Sequence, residues 1–201
     1  MGDRRRMGDI TMSQPQEKRF LSPREYFDGE ETAEYRSEYY HGEIFAMTGA
    51  SFNHNVIGGN IFASLHGKLL DSPCFVFAGD MKIQIEEDSH YAYPDLSIVC
   101  GDIEFGKNRN DIIENPIVII EILSKSTKNY DRGDKFKSYR NIRSLRDYIL
   151  VDQYACHVEH FFKNEAGRWE LDEFENPDDS FGIRSVSLEL SLNTIYERIE
   201  F

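Results

Sequence analysis

No stretch of this 201-residue chain comes near the ~20 consecutive apolar residues that a bilayer-spanning helix requires, so no membrane partner is expected. Basic residues are scarce: 23 lysines and arginines face 36 aspartates and glutamates, a formal charge of −13. That deficit removes much of the usual non-specific affinity for a polyanion, because phosphate contacts come from lysine and arginine. An acidic metal site is compatible with it, since a bound cation offsets the carboxylates. Only three cysteines occur, Cys74, Cys100 and Cys156, far apart and in no metal-like spacing. They argue against a disulfide framework and for buried thiols in a reducing cytoplasm. The first twenty residues hold Arg4-Arg5-Arg6 but no apolar core of a secretory signal. No internal repeat, low-complexity block, helix-turn-helix or zinc module is recognisable. Residues 1–20 are read as a disordered extension and residues 21–201 as one domain, long enough to bury a core around a mixed sheet.

What is present reads as alternating elements. Ser22-Pro23-Arg24-Glu25 has a capping serine, a proline at the first helical position and an acid in the first turn, and predicts a helix start. Glu38 to Met47 predicts two short strands about a turn at His41-Gly42. From Phe52 to Leu70, Val56, Ile57, Ile61, Leu65 and Leu69 follow helical spacing. Strands are expected over Cys74 to Glu86, Ala92 to Cys100 and Ile117 to Leu123. The first alternates Met81, Ile83 and Ile85 with Lys82, Gln84 and Glu86, the pattern of a half-exposed strand. A helix from Tyr130-Asp131 to about Ile142, a strand at Tyr148 to Val151, a hairpin over His157 to Phe174, a strand at Leu188 to Leu192 and a short helix near Ile195 complete an α+β, or mixed α/β, fold.

One residue breaks these patterns. The apolar run Ile117-Val118-Ile119-Ile120 ends in Glu121, a carboxylate where both faces of a strand should be buried. Asp95 closes the preceding strand's Tyr93-Pro94-Asp95 step, and pairing of the two strands would converge the carboxylates at one end of the sheet. Two such oxygen donors suit magnesium, which takes one or two carboxylates and keeps waters and substrate oxygens in its shell. Lys135 lies one helical turn after Asp131 and one before Tyr139, so the three share a face, a geometry that would let Lys135 point into the site. The competing reading is a Glu121–Lys135 pair retained for fold specificity alone.

Four ordered segments carry a resemblance: Glu38 to Ser51, Tyr93 to Gly101, Glu121 to Thr127, and Tyr130 to Phe136. Together they resemble the Uma2 family of restriction-endonuclease-like proteins, a branch of the PD-(D/E)XK nuclease superfamily, over about residues 22–200. The resemblance implies a restriction-endonuclease-like core and metal-dependent cleavage of DNA with Mg²⁺, or Mn²⁺ in its place. Asp95 and Glu121 match the acidic motif. Leu123 stands where the superfamily usually has lysine, so the resemblance assigns that role to Lys135, with Lys137 as second candidate. Asp80 matches a recurrent acid and would be a further metal ligand, Glu38 an additional acid, and His54 a recurrent histidine. Each has a plain alternative: Asp80 caps the turn after Gly79, Glu38 is an exposed strand charge, and His54 packs or caps its helix. Ser124, Ser126 and Thr127 read as a strand-to-helix turn, because no partnered histidine follows.

Eight of the 23 basic residues fall between Lys125 and Arg146. Lys125, Lys128 and Arg132 would form a phosphate track beside the site, and a homodimer would set two such tracks along one duplex. The alternative is a solvated helix face. At the level of function, the alternative to a DNA endonuclease is a catalytically silent nucleic-acid- or protein-binding module on the same fold.

Overall fold

The computed structural model describes residues 20–47 and 49–201; the expected N-terminal extension through residue 19 lies outside them. Helix α1 (Pro23–Glu30) starts as its sequence predicts: the Ser22 hydroxyl accepts from the Glu25 N–H at 3.3 Å, and the Glu25 carboxylate accepts from the Ser22 N–H at 2.8 Å. Strands β1 (Ser37–Tyr40) and β2 (Glu43–Ala46) form a hairpin whose turn places His41 and Gly42 at φ of 46° and 91°. Gly42 is required there, because a Cβ would also meet the Phe20 ring at 2.9 Å. Helix α2 (Phe52–Leu69) is capped by Ser51 and buries Ile57, Ile61, Leu65 and Leu69, a stripe at helical spacing.

The two long strands expected next are each divided. The chain forms β3 (Cys74–Ala78), then β4 (Lys82–Glu86) and β5 (His90–Ala92), then β6 (Leu96–Cys100). Strands β3 and β6 belong to one sheet, β4 and β5 to another. The crossings occur at Gly79–Met81 and Tyr93–Asp95 and are tied together, since the Gly79 N–H donates to the Asp95 carbonyl at 2.9 Å. Alternation of period two describes a pleat and is silent about a change of sheet.

The remaining elements are β7 (Ile112–Ile113), β8 (Val118–Leu123), α3 (Lys128–Tyr130), a π-helical turn (Asp131–Lys135), α4 (Phe136–Tyr139), β9 (Asp147–Asp152), β10 (Val158–Lys163), β11 (Trp169–Phe174), β12 (Ser180–Ile183), β13 (Leu188–Ser191) and α5 (Leu192–Ile195). The central six-stranded sheet runs β11-β10-β9-β8-β6-β3, the five-stranded sheet β2-β1-β5-β4-β7, and β12-β13 form a ribbon. The central sheet is mixed, with β8 antiparallel to β6 and parallel to β9.

Strand β8 is buried on both faces and divides the core in two. Val118, Ile120 and Ile122 pack with α2, the β12-β13 ribbon and α5. Ile119 and Leu123 pack with Ile83, Ile85, Phe136, Tyr139 and Tyr148, beneath the second sheet and the α3–α4 helical run. Glu121 lies on this second face.

Two further expectations are corrected. Lys82, read as solvent-facing, is 1 % exposed. Its ammonium lies 5.0 Å from the Phe27 ring centroid, 5.1 Å from Tyr26 and 5.2 Å from Tyr93, with Asp111 at 3.9 Å. Helix α1 covers the face that alternation assigned to water, and burial pushes the Lys82 pKa down. Cys74 and Cys100, read as free thiols, are disulfide-bonded, and Cys156 is free. Antiparallel pairing of β3 with β6 sets the two cysteines opposite each other across a separation of 26 residues, a juxtaposition that spacing alone does not reveal.

Candidate active site

Asp95 stands at the crossing into β6, immediately after Pro94. Pairing of Leu96 with Ile120 in the β6–β8 ladder sets it beside the Glu121 segment of β8. Its Oδ2 accepts from the Ile122 N–H at 2.7 Å, and His54 Nε2 from the first turn of α2 approaches the same oxygen at 3.3 Å. Burial disfavours the imidazolium, but the hydrogen bond to Asp95 together with the negative charges of Asp95 and Asp131 outweighs it and raises the His54 pKa.

Glu121 is engaged from the opposite side by the helical run. The Lys135 ammonium lies 2.9 Å from Glu121 Oε1, and the Tyr139 hydroxyl donates to that oxygen at 3.1 Å. The same ammonium reaches Glu38 Oε1 at 2.9 Å and Asp131 Oδ1 at 3.9 Å. Glu38 is fixed in turn by the Tyr93 N–H at 3.3 Å. Asp131, Lys135 and Tyr139 are all buried on one side of the run, as the four-residue spacing requires, although a π turn carries Lys135.

One ammonium therefore serves three carboxylates, Glu121 and Asp131 buried and Glu38 largely so. Burial would lower the Lys135 pKa, but Glu121, Glu38 and Asp131 outweigh it and hold the amine well above its ordinary value. Burial pushes Glu121 well up; Lys135 opposes this incompletely, because Asp95, Asp131 and Glu38 repel a further negative charge. Asp131 is raised for the same first reason.

The arrangement brings together Asp95, Glu121, Lys135, Glu38, His54 and Tyr139 from the residues singled out in the sequence. They line, or lie directly behind, a cleft of about 1110 Å³. Asp80 is not brought there. Its carboxylate is exposed in the turn after Gly79, with Arg36 Nε at 3.6 Å, so the resemblance to a recurrent acid does not place it at the cleft, and the turn directs it to solvent. No group of three or more His, Cys, Asp or Glu side chains is arranged to hold a metal among the described residues. Of the donors expected from the sequence, Asp95 and Glu121 are the two that the β6–β8 pairing sets side by side at the cleft. The contacts described use Oδ2 of Asp95 and Oε1 of Glu121, which leaves one oxygen of each outside that network. Two carboxylates within an excess of negative charge fit a hard divalent ion that keeps water in its shell. Asp131 was missed as a member of the cluster, although its place four residues before Lys135 was the available signal. Gln153 was missed too: it accepts from the Ser51 hydroxyl and donates to the Leu123 carbonyl at 2.8 Å, closing the cleft from β9.

The basic run does not form one continuous track. Lys125 and Lys137 line the cleft, and Lys128 is exposed away from its lining. Arg132 turns to the central sheet, where its Nε donates to the buried Glu159 at 2.7 Å. It is not free for phosphate and adds nothing to a track that a two-fold partner could extend. Arg132→Ala is expected to lower stability by roughly 1–3 kcal/mol, because a buried carboxylate loses its donor. A shift of the urea midpoint without a change of slope is the signature; an unmoved midpoint would return Arg132 to the surface track.

A family model carrying the description "Putative restriction endonuclease", that of Uma2, matches residues 23–194. The chain belongs to the Uma2 family. Two curated Synechocystis proteins are similar to it along most of their length: slr1290, 33% identical over 181 residues, covering 90% of this chain and 94% of that protein, and sll1609, 35% identical over 170 residues, covering 84% and 96%. Among solved structures, an Anabaena variabilis protein described as a "putative nuclease belonging to DUF820" shares the fold, with a TM-score of 0.74 at 19% identity over 90% of this chain and 99% of that one. The mixed α+β architecture expected from the sequence is thereby shown, and with it the family resemblance. Among the described residues no helix is long and apolar enough to cross a membrane.

Proposed function

We propose that this Uma2 protein is a metal-dependent endonuclease that hydrolyses DNA phosphodiester bonds, with Mg²⁺ or Mn²⁺ held by Asp95 and Glu121. The observation that carries the reading is the 2.9 Å contact between Lys135 and Glu121 beside Asp95 in an open cleft. An acid pair and a lysine converge from a crossing, a strand and a helix, where a stability role needs only the pair. Bound there, the cation supplies Lewis-acid polarisation of a phosphoryl oxygen and a lowered pKa for attacking water.

The protein's own residues do the rest. The Ile122 N–H and His54 fix one oxygen of Asp95. Lys135 and Tyr139 fix one oxygen of Glu121, so both carboxylates are oriented before substrate arrives. Lys135 also sets a permanent positive charge in the cleft wall, where negative charge develops on the phosphate.

The test is cleavage of supercoiled plasmid and of a labelled DNA single strand in Mg²⁺ and in Mn²⁺, with Mn²⁺ binding followed by calorimetry. Asp95→Asn retains an oxygen for the Ile122 N–H while removing the charge, and is expected to lose both nicking and Mn²⁺ binding with its thermal melt preserved. Wild-type protein inert in both metals, or Asp95→Asn nicking at the wild-type rate, would sink the proposal.

A further inference from the structure

The same cleft has a composition suited to one form of nucleic acid. Among the described residues three lysines line it, Lys125, Lys135 and Lys137, and Lys135 is already engaged by Glu38 and Glu121. Six acids share the lining: Glu38, Glu86, Asp95, Glu121, Asp131 and Asp134. Duplex DNA presents one charge per ~1.7 Å of axis and is usually held by many lysines and arginines. This surface offers few, and Arg132 is turned away from it.

Aromatic side chains stand where cations are missing. Tyr40 and Phe45 on the β1–β2 hairpin, Tyr130 in α3 and Tyr154 after β9 all line the cleft, and they are 43, 50, 39 and 45 % exposed. They come from three separate parts of the fold, so their gathering at one opening does not follow from a single amphipathic element. Lys125 Nζ lies 5.1 Å from the Tyr154 ring centroid, pairing a cation with one of these rings. Tyr40 packs edge-on against His90, with centroids 4.8 Å apart. His90 also lines the cleft, is 3 % exposed, and its Nε2 has no hydrogen-bond partner among the described residues. An unpartnered ring nitrogen behind an exposed aromatic leaves a polar contact to be made at that wall.

We infer that the cleft takes unpaired DNA, a single strand whose bases stack on Tyr40, Phe45, Tyr130 and Tyr154 while its backbone crosses the Asp95–Glu121 pair. Bases in a duplex stack on each other and hide their faces; an unpaired strand offers a ring face at each nucleotide and needs fewer phosphate contacts to be held. The inference rests on the endonuclease reading and narrows its substrate.

Fluorescence anisotropy in Ca²⁺ provides the test, with one labelled sequence as a single strand, as a blunt duplex, and as a duplex with a central unpaired bubble. Single strand and bubble are expected to bind at least about ten-fold more tightly than the blunt duplex. Tyr154→Ala and Tyr40→Ala should each weaken single-strand binding by about ten-fold. Tyr154, the side chain without a packed histidine behind it, keeps the test open should Tyr40→Ala fail to fold, and Tyr154→Phe should restore binding where Tyr154→Leu does not. Equal or tighter binding of the blunt duplex, no binding of any form, or an unaltered Tyr154→Ala would overturn the inference. Binding is read without turnover, so the two readings fail separately. Tight single-strand binding with no cleavage in Mn²⁺ removes the nuclease and leaves the unpaired-strand site, whereas preferred cleavage of blunt duplex does the reverse.

Discussion

Lys135→Met is expected to lose ~3–5 kcal/mol of folding stability, more than any single carboxylate change in the cleft. The methionine keeps the length of the aliphatic stem, so packing is not the cause. What disappears is, among the described residues, the ammonium in contact with Glu38 and Glu121 and 3.9 Å from Asp131, side chains only 12, 6 and 4 % exposed. Each would remain in low dielectric with its neighbours' negative charges still present. Urea melts in EDTA read the loss directly. Repeating them in excess Mg²⁺ should recover part of it, because a cation that binds only the folded state stabilises that state. A midpoint unchanged from wild type would show that Lys135 is not the counter-ion of the cluster. The charge proposed to act on the phosphate is also the counter-ion of the buried carboxylates, so lost nicking in Lys135→Met must be read against the melt.

The parts of the site that were legible in the sequence are those with a local signature. Glu121 is conspicuous because it interrupts a run of β-branched residues, and the Asp131–Lys135–Tyr139 face follows from a four-residue spacing that survives the π turn. Helix α2 and the cap of α1 are likewise written locally, in Ile57-Ile61-Leu65 and in Ser22-Pro23-Arg24-Glu25. What escaped depends on pairing between distant segments. The division of two expected strands at Gly79 and at Tyr93-Pro94-Asp95 is a choice between sheets, and alternation carries no information about it. Lys82 fell on the polar phase of its strand, yet α1 covers that phase with the rings of Tyr26 and Phe27, and Tyr93 adds a third from the β5–β6 crossing. Arg132 has the same local context as Lys128, and only the arrival of β10 gives it Glu159. The helical run also ends at Tyr139, short of the expected Ile142, although Ile142 is still buried in the same core.

Glu121→Gln separates chemistry from stability. The glutamine keeps an oxygen to accept from Tyr139 and Lys135 but removes the charge proposed to hold the metal, so nicking is expected to fall by roughly 10²–10³-fold or more. The fold should not suffer, because burial raises the Glu121 pKa well above its ordinary 4.5. The unfolded chain releases that proton near its ordinary value, while the folded protein retains it to higher pH. The folded state therefore binds more protons across the intervening window, and the contribution of Glu121 to stability falls as pH rises through it. Asp131, raised by burial too, adds a slope of the same sign that the substitution leaves in place. In EDTA, then, Glu121→Gln should gain on wild type in melting temperature as the buffer moves from about pH 5 to about pH 8. Saturating Mg²⁺ should reverse the order, since metal binding requires the ionised carboxylate and expels its proton. A variant that falls further behind wild type with rising pH in EDTA would mean that Glu121 is ionised and firmly paired with Lys135 in the metal-free protein. Glu121 would then be the anion of a structural ion pair, and its assignment as a metal ligand would have to be withdrawn if Mn²⁺ binding also survived the substitution.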